Sequence, residues 1–316
     1  MKISVVIPVY GCPEALPELH KRLRDTLSGM TPDYEIILVN DKCPKHSWDA
    51  IEKICEEDKH VIGMELAYNT GQNRAIMAGL DKSDGDWVVV MDCDLQDRPE
   101  DIKELYDKAM EGYDIVFAKR RDRSDTRIKV TMSKFFYKLY TNVSGEQYDP
   151  EIGNYSICSR KVIDSYCAMR EYHRDFSVYI LALGFRQATI IGHHDPRRYG
   201  SSSYTMSKKI KLAIEILTSN PDIMLTRLLA FGAALASASI VLIIIQIIRH
   251  IAVGAIWGWY DIVIIFSLFC GVIITQTGLV GIYVGKTFTQ SKNRPLYCVR
   301  QTLNGSSSPD AGGSGK

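Results

Sequence analysis

Gly85-Asp86-Trp87-Val88-Val89-Val90-Met91-Asp92-Cys93-Asp94-Leu95-Gln96 sets an apolar run directly against two carboxylates spaced two residues apart. The run Trp87–Met91 is too short for a helix and reads as a strand buried on both faces. Ile3–Val9, Glu35–Asn40 and Val61–Leu66 upstream read the same way, as does Asp114–Ala118 downstream. Helical patterns fall between them: Glu14–Leu27, Ser47–Glu57, Gln72–Leu80, and Pro99–Met110 with Pro99 in the first helical position. Strands and helices in strict alternation predict an α/β fold with a mostly parallel sheet covered on both faces. Such sheets bind ligands at the carboxyl ends of their strands. Three strands end there in polar residues: Pro8-Val9-Tyr10, Asn40-Asp41, and Asp92 through Gln96.

Asp92 and Asp94, two apart just past a strand, leave the sheet on one side of the turn. Paired hard oxygens of this kind suit Mg²⁺ or Mn²⁺, with substrate phosphates completing the shell, and Gln96 adds an amide oxygen at the next even position. A calcium-binding EF-hand is excluded, because Asp97 stands where that loop needs glycine and no Glu closes it. Asp41 is placed to hydrogen-bond a base or a ribose at the same edge. His193-His194-Asp195 reads as loop, since adjacent histidines point apart. Eight cysteines lie without paired spacing and no CxxC occurs, so zinc and redox motifs find no support and reduced thiols are expected.

The formal net charge of +1 argues against nucleic acid as a partner. That average hides a division of the chain. From Met1 to about Pro221 the sequence is charge-rich, like a soluble domain. Leu228 to Ile248 then runs 21 residues without a charge, and Ile262 to Gly285 another 24. A helix of about 20 apolar residues spans a bilayer's hydrocarbon core, so both are expected to cross a membrane. Lys208, Lys209, Lys211 and Arg227 precede the first span, and Lys286, Lys292, Arg294 and Arg300 follow the second. Only Arg249 and His250 lie in the connecting loop, so both termini are expected inside. No signal peptide is read at the N-terminus. Basic, aromatic helical patterns near 127–143 and 207–217 read either as helices in the headgroup plane or as ordinary helices on the sheet. The expected organisation is a catalytic domain over 1–221, a two-helix anchor over 224–290, a tail segment over 291–304, and a low-complexity end over 305–316 that is disordered or a cloning remnant.

Val5-Val6-Ile7-Pro8-Val9-Tyr10, then Val39-Asn40-Asp41, then Gly85 through Glu100 resembles family 2 glycosyltransferases, in particular the branch that acts on polyprenyl phosphates. Gly153–Lys161, Leu183–Gln187, Arg197–Tyr204 and Arg294-Pro295-Leu296-Tyr297 extend the resemblance over nearly the whole chain. It implies a GT-A fold, Rossmann-like, and inverting transfer of a sugar from a nucleotide-sugar, a UDP-sugar by preference, to a polyprenyl phosphate such as undecaprenyl phosphate. The implied setting is the cytoplasmic face of the inner membrane, in cell-envelope glycan synthesis. Pro8, Tyr10, Asp41 and Asp92 would hold the nucleotide, and Asp92, Asp94 and Gln96 the metal and diphosphate. Arg120, Lys129, Ser133, Arg197 and Ser202 fall where this branch grips the acceptor phosphate. Asp94, Arg120 and Asn154 are the implied catalytic residues, Asn154 standing where many relatives carry an Asp as base. The family's Pro-x-Tyr-Asn-Glu start reads Pro8-Val9-Tyr10-Gly11-Cys12 here, and Ser203 stands where its loop Lys is usual. The loss of the candidate base favours a phosphate acceptor, already dianionic near pH 7, unless Asp149 or Glu151 substitutes. Two alternatives remain: transfer to a sugar hydroxyl of a lipid-linked glycan, and a catalytically silent membrane scaffold. Processive synthases are disfavoured because no QxxRW occurs. Homo-oligomerisation is left open.

Overall fold

The computed structural model describes residues 1–120, 152–170, 175–193, 258–292 and 294–305, together with 241, 244, 245, 247, 248, 251 and 252. The chain divides into two compact units, one of residues 1–129, 149–203 and 295–316, the other of 130–148 and 204–294.

The first unit is an α/β sheet built from β1 (Ile3–Val9), α1 (Leu16–Ser28), β2 (Tyr34–Asn40), α2 (Ser47–Glu57), β3 (Val61–Leu66), α3 (Gln72–Lys82), β4 (Trp87–Val90), α4 (Asp101–Ala109), β5 (Ile115–Arg120), β6 (Ile152–Ser159), α5 (Arg160–Ala168), α6 (Phe176–Ala182), β7 (Gln187–Gly192) and β8 (Val299–Leu303). The strand order is β7-β5-β6-β4-β1-β2-β3-β8. The centre β4-β1-β2-β3 is parallel. β6 runs antiparallel between β4 and β5, β7 pairs parallel with β5, and β8 closes the far edge antiparallel to β3. The sheet is therefore mixed, and the parallel expectation holds for the centre that carries the first four strand ends.

Side chains that alternate across β1 feed two cores. Ile3, Val5, Ile7 and Val9 pack with Leu16, Leu19, Leu23 and Leu27 of α1 and with the buried faces of α2 and α4. Val6 faces the other way, onto Ala75, Ile76 and Leu80 of α3, together with Tyr166 of α5 and Phe176 of α6. Burying one such Leu, Ile or Phe is worth about 1.5–3 kcal/mol, so the two faces together fix the register of the central strands. Close approach makes one glycine obligatory: a Cβ on Gly79 of α3 would lie 2.4 Å from Val6 Cγ1 and 3.1 Å from Val39 Cγ2.

Within the tail segment 291–304, Val299–Leu303 contributes a strand to the sheet. β8 pairs along β3 from Gly63↔Leu303 to Leu66↔Val299. Asn304, at φ 57°, then donates its side-chain amide to the carbonyls of Cys55 (2.6 Å), Val61 (2.9 Å) and Asp58 (3.2 Å). Just before β8, the Tyr297 hydroxyl donates to Asp81 at 2.6 Å, a carboxylate that Arg170 grips through both of its oxygens.

The described core of the second unit is α7 (Trp259–Ser291), a helix of 33 residues or about 50 Å that contains the uncharged run 262–285. Of the run 228–248, the described residues 241, 244, 245, 247 and 248 are helical. Among the described residues no helix is long and apolar enough to cross a membrane, and many side chains of α7 fall outside that description. The helices expected near 127–143 and 207–217 lie outside the described residues.

Candidate active site at the strand ends

β1, β2 and β4 all terminate on the same edge, because they are parallel, and β1 lies between the other two. Pro8 pairs with Val39 one step before the last β1–β2 pair, Val9 with Asn40, and Tyr10, which follows β1, is exposed. Asp41 follows β2 directly and is buried. Its carboxylate accepts the amide of Thr70 at 2.6 Å, the hydroxyl of Thr70 at 2.9 Å and the amide of Gly71 at 2.8 Å. Asn69 closes the loop with a side-chain bond to the Asp41 carbonyl at 3.0 Å. Burial raises the pKa of Asp41 above the ordinary carboxylate value, and these hydrogen bonds offset only part of that effect. Asp41 thus organises the segment 69–71, which is also where α3 begins.

The first residue of α3 carries this order to the second carboxylate site. Gln72 donates from its side-chain amide to Asp92 Oδ1 at 2.6 Å. Asp94 is buried, and the amide of Gln96 donates to its Oδ1 at 3.2 Å. Between them, Leu95 is buried at φ 60°, a left-handed conformation that a branched side chain holds only when its surroundings enforce it. The segment that follows is pinned at two points. Tyr155 donates its hydroxyl to the Arg98 carbonyl at 2.6 Å, and Arg22 grips both oxygens of Glu100 at 2.8 and 2.6 Å, which lowers the Glu100 pKa. Among the described residues no group of three or more His, Cys, Asp or Glu side chains is gathered to hold a metal. Asp92, Asp94 and Gln96 carry hard side-chain oxygens of the kind a divalent cation takes alongside phosphate and water.

The cysteines correct the sequence reading. Cys12 and Cys93 form a disulfide, with Cα atoms 6.6 Å apart, where reduced thiols were expected. The bond ties the turn after β1 to the residue between the two aspartates. Spacing gave no warning, since the partners are 81 residues apart and meet only because β1 pairs with β4.

Asn154 lies on β6 at the same edge. The antiparallel β4–β6 ladder ends with Val90 opposite Ser156, so Asn154, two residues before Ser156 on β6, and Asp92, two residues past β4, both lie beyond that pair on this side of the sheet. Arg120 ends β5, which is parallel to β4, so it reaches this edge too. Lys129, Ser133, Arg197 and Ser202 lie outside the described residues. His193 pairs with Asp101 through its ring (3.1 Å) and its amide (2.8 Å), in keeping with the loop reading. Gln72, Thr70 and Gly71 were missed as site residues, although they stand at the start of a helix that the sequence does reveal.

The sequence model described as glycosyl transferase family 2 matches residues 4–167, from β1 through α5. The chain belongs to glycosyl transferase family 2. It is a glycosyltransferase, and two near-full-length relatives are named for the same reaction. It is 35% identical to the undecaprenyl-phosphate 4-deoxy-4-formamido-L-arabinose transferase of Proteus mirabilis (strain HI4320), over 96% of this chain and 94% of that protein. It is also 35% identical to the enzyme of the same name from Shewanella sediminis (strain HAW-EB3), over 98% and 95% respectively. Among solved structures, glucosyl-3-phosphoglycerate synthase from Mycobacterium tuberculosis, in complex with Mn²⁺, UDP and phosphoglyceric acid, superposes with a TM-score of 0.50 at 16% identity, covering 68% of this chain and 76% of that one. That likeness supports the GT-A-type fold.

Proposed function

We propose that this family 2 glycosyltransferase moves a sugar, with inversion, from a nucleotide-sugar to a polyprenyl phosphate at the cytoplasmic face of a bacterial inner membrane. The observation that carries the reading is the match to undecaprenyl-phosphate sugar transferases over 96% of the chain, which runs well past the end of the family 2 model at residue 167.

In this reading, Tyr10, Pro8 and the Asp41-organised loop receive the nucleotide, and Asp92 is presented to it in the position that Gln72 fixes. Asp92, Asp94 and Gln96 would hold Mg²⁺ or Mn²⁺, which neutralises the diphosphate leaving group when bound. Asn154, on β6 next to β4, would stand where a hydroxyl acceptor calls for a carboxylate base. An amide there suits an acceptor that needs no deprotonation: a phosphate monoester has its second pKa near 6 and is already nucleophilic at pH 7. Such an acceptor requires positioning and charge neutralisation. Arg120 at the end of β5, with Lys129, Ser133, Arg197 and Ser202, supplies that role.

Two membrane-spanning helices, over 228–248 and 262–285, would hold the enzyme beside its lipid. What supports them is the length of α7 and the outward display of apolar side chains: Ile244 and Ile248 in the earlier segment, and Ile262, Phe266, Ile273 and Val284 on α7, are all exposed. Purified enzyme incubated with labelled UDP-sugars, led by a 4-deoxy-4-formamido-L-arabinose donor, and undecaprenyl phosphate should yield an acid-labile lipid-linked sugar. Transfer to a glycan hydroxyl, with none to the lipid phosphate, would overturn the acceptor assignment.

A further inference from the structure

The Cys12–Cys93 bond crosses the donor edge at its centre. Cys12 lies two residues past Tyr10, and Cys93 lies between Asp92 and Asp94. Both bonded cysteines are almost fully covered, at 2% and 7% exposure, so a reductant in solution has little direct access to either sulfur. A third thiol contacts the residue next to Cys12. Cys43, half-buried, sits two residues past Asp41, and its sulfur accepts the amide of Gly11 at 3.1 Å. Gly11 is bonded directly to Cys12 and adopts φ 82°, and a Cβ added there would meet nothing within 4 Å. The Lys45 amide also donates to the Cys43 sulfur, at 3.4 Å. Burial would raise the Cys43 pKa, but its hydrogen bonds, with Ser47 foremost, outweigh burial and lower it. Such surroundings favour the thiolate, which is the form that attacks disulfides.

We propose that Cys12, Cys43 and Cys93 form a thiol–disulfide site that sets donor affinity, with the Cys12–Cys93 bond holding the nucleotide turn and the two aspartates in binding geometry and Cys43 as the exchange partner through which the bond is opened. In the first step the Cys43 thiolate attacks Cys12 Sγ. The Cys12–Cys43 bond forms as the Cys12–Cys93 bond breaks, and Cys93 leaves and takes up the proton that Cys43 gave up, with no net change in oxidation state. In the second step a cellular dithiol of the thioredoxin class attacks the more accessible Cys43 sulfur. The dithiol becomes a disulfide, and two electrons and two protons pass to Cys12 and Cys43. Re-formation by an oxidising disulfide runs the same steps backwards. The inference rests on the proposed function, which places this edge in the cytoplasm, where a lasting disulfide is unusual and where those that form serve catalysis or redox sensing.

Opening the bond removes the only covalent tie, among the described residues, between the turn after β1 and the Asp92–Asp94 segment. Leu95, held left-handed two residues beyond Cys93, is then free to relax and carry Asp94 with it. A less ordered site binds more weakly because it must order itself on binding.

The test uses the full-length enzyme in detergent, with UDP and Mn²⁺ as the probe. Alkylation under non-reducing conditions followed by peptide mapping should recover a Cys12–Cys93 cross-link, and thioredoxin should abolish it. Reduction should weaken binding of the probe by about tenfold or more, as should Cys93→Ser without reductant, and the Cys93→Ser protein should no longer respond to thioredoxin. Cys43→Ser should retain the cross-link yet lose it at least about tenfold more slowly, which a merely structural disulfide would not show. Recovery of Cys12 and Cys93 as free thiols after oxidation, or equal probe affinity in the oxidised and reduced enzyme, would overturn the proposal. A mapped cross-link with no UDP binding in either state would overturn the donor reading as well, whereas normal UDP binding without a cross-link would overturn the thiol site alone.

Discussion

Replacing Asp41 with alanine tests whether this residue acts on the nucleotide directly or through the loop it organises. The carboxylate accepts two backbone amides and one hydroxyl, all within 2.9 Å, in a buried position. Alanine leaves the amides of Thr70 and Gly71 without their acceptor, and each orphaned buried donor costs about 1–3 kcal/mol, or about 4 kcal/mol for the two at mid-range. For a domain of this size that corresponds to a fall in Tm of roughly 8–16 °C. Because the same loop opens α3, and Gln72 at the start of α3 holds Asp92, UDP–Mn²⁺ affinity should fall in parallel with the loss of stability. Asp41→Asn keeps one oxygen acceptor and should lose about half as much. The sign of the pH dependence follows from burial, which raises the folded-state pKa. Asp41 then contributes stability fully below its unfolded pKa of about 3.9, and that contribution is lost as pH rises through the raised folded value. The advantage of wild type over Asp41→Asn should therefore widen on acidification through that window. Differential scanning fluorimetry and calorimetric UDP titration of both variants read these quantities. If Asp41→Ala abolished UDP binding while keeping its Tm within a degree of wild type, a direct contact with the nucleotide would replace the scaffolding argument.

Asp94→Ala should abolish transfer, and sugar transfer that continued undiminished in EDTA would refute the metal-dependent mechanism. Lys129→Ala or Arg197→Ala should raise the Michaelis constant for the lipid about tenfold or more, since a charge-assisted contact is worth about 1.5–3 kcal/mol, and should leave that for the nucleotide-sugar nearly unchanged; the opposite split would return the hydroxyl acceptor to consideration. A cysteine introduced near Gly254 should be labelled by impermeant reagents only from outside the cell, and labelling solely from the cytoplasm would refute the two-span topology. Burial raises the pKa of Cys55 to about 11 and of Cys158 to about 12, so at pH 8 alkylation of the folded enzyme should spare both and modify Cys43 ahead of them. The same two shifts predict stability that declines as pH climbs above the ordinary thiol value of about 8.5, which pH-dependent denaturant melts would detect.

The parallel centre of the fold was legible because burial on both faces leaves a plain mark. β1 and β3 begin and end where their apolar runs do, and α2 does the same. Later strands were harder for a physical reason. β7 alternates exposed, intermediate and buried positions, and β8 is an edge strand with four of its five residues exposed, so neither carries a continuous apolar run. β8 owes its place to β3 and to the Asn304 bonds rather than to its own hydrophobicity. Nothing in Val299-Arg-Gln-Thr-Leu303 distinguishes it from a tail.

The candidate site divides along the same line. Asp41, Asp92 and Asp94 were readable because a strand end is a local feature and the chemistry of a carboxylate there is nearly independent of the rest of the chain. What those carboxylates do in the folded protein was not readable, because it depends on partners that the sheet brings from elsewhere. Asp41 gains its ligands from residues about thirty positions later, and Asp92 is held by a glutamine twenty positions earlier. The cysteines make the point most sharply. Counting spacings tests for local motifs such as CxxC, and by that test Cys12 and Cys93 are unrelated. Both follow strand ends, though, and β1 and β4 are neighbours in register, Val6 opposite Val90. From that pairing Cys12 lies six residues on along its strand direction and Cys93 three, close enough for the turn after β1 to fold back and bring the sulfurs together. A rule that looked for cysteines just beyond the ends of adjacent parallel strands would have paired them from sequence, once the strand order was known. The strand order is the missing quantity, and it is a property of the whole sheet rather than of any segment of it.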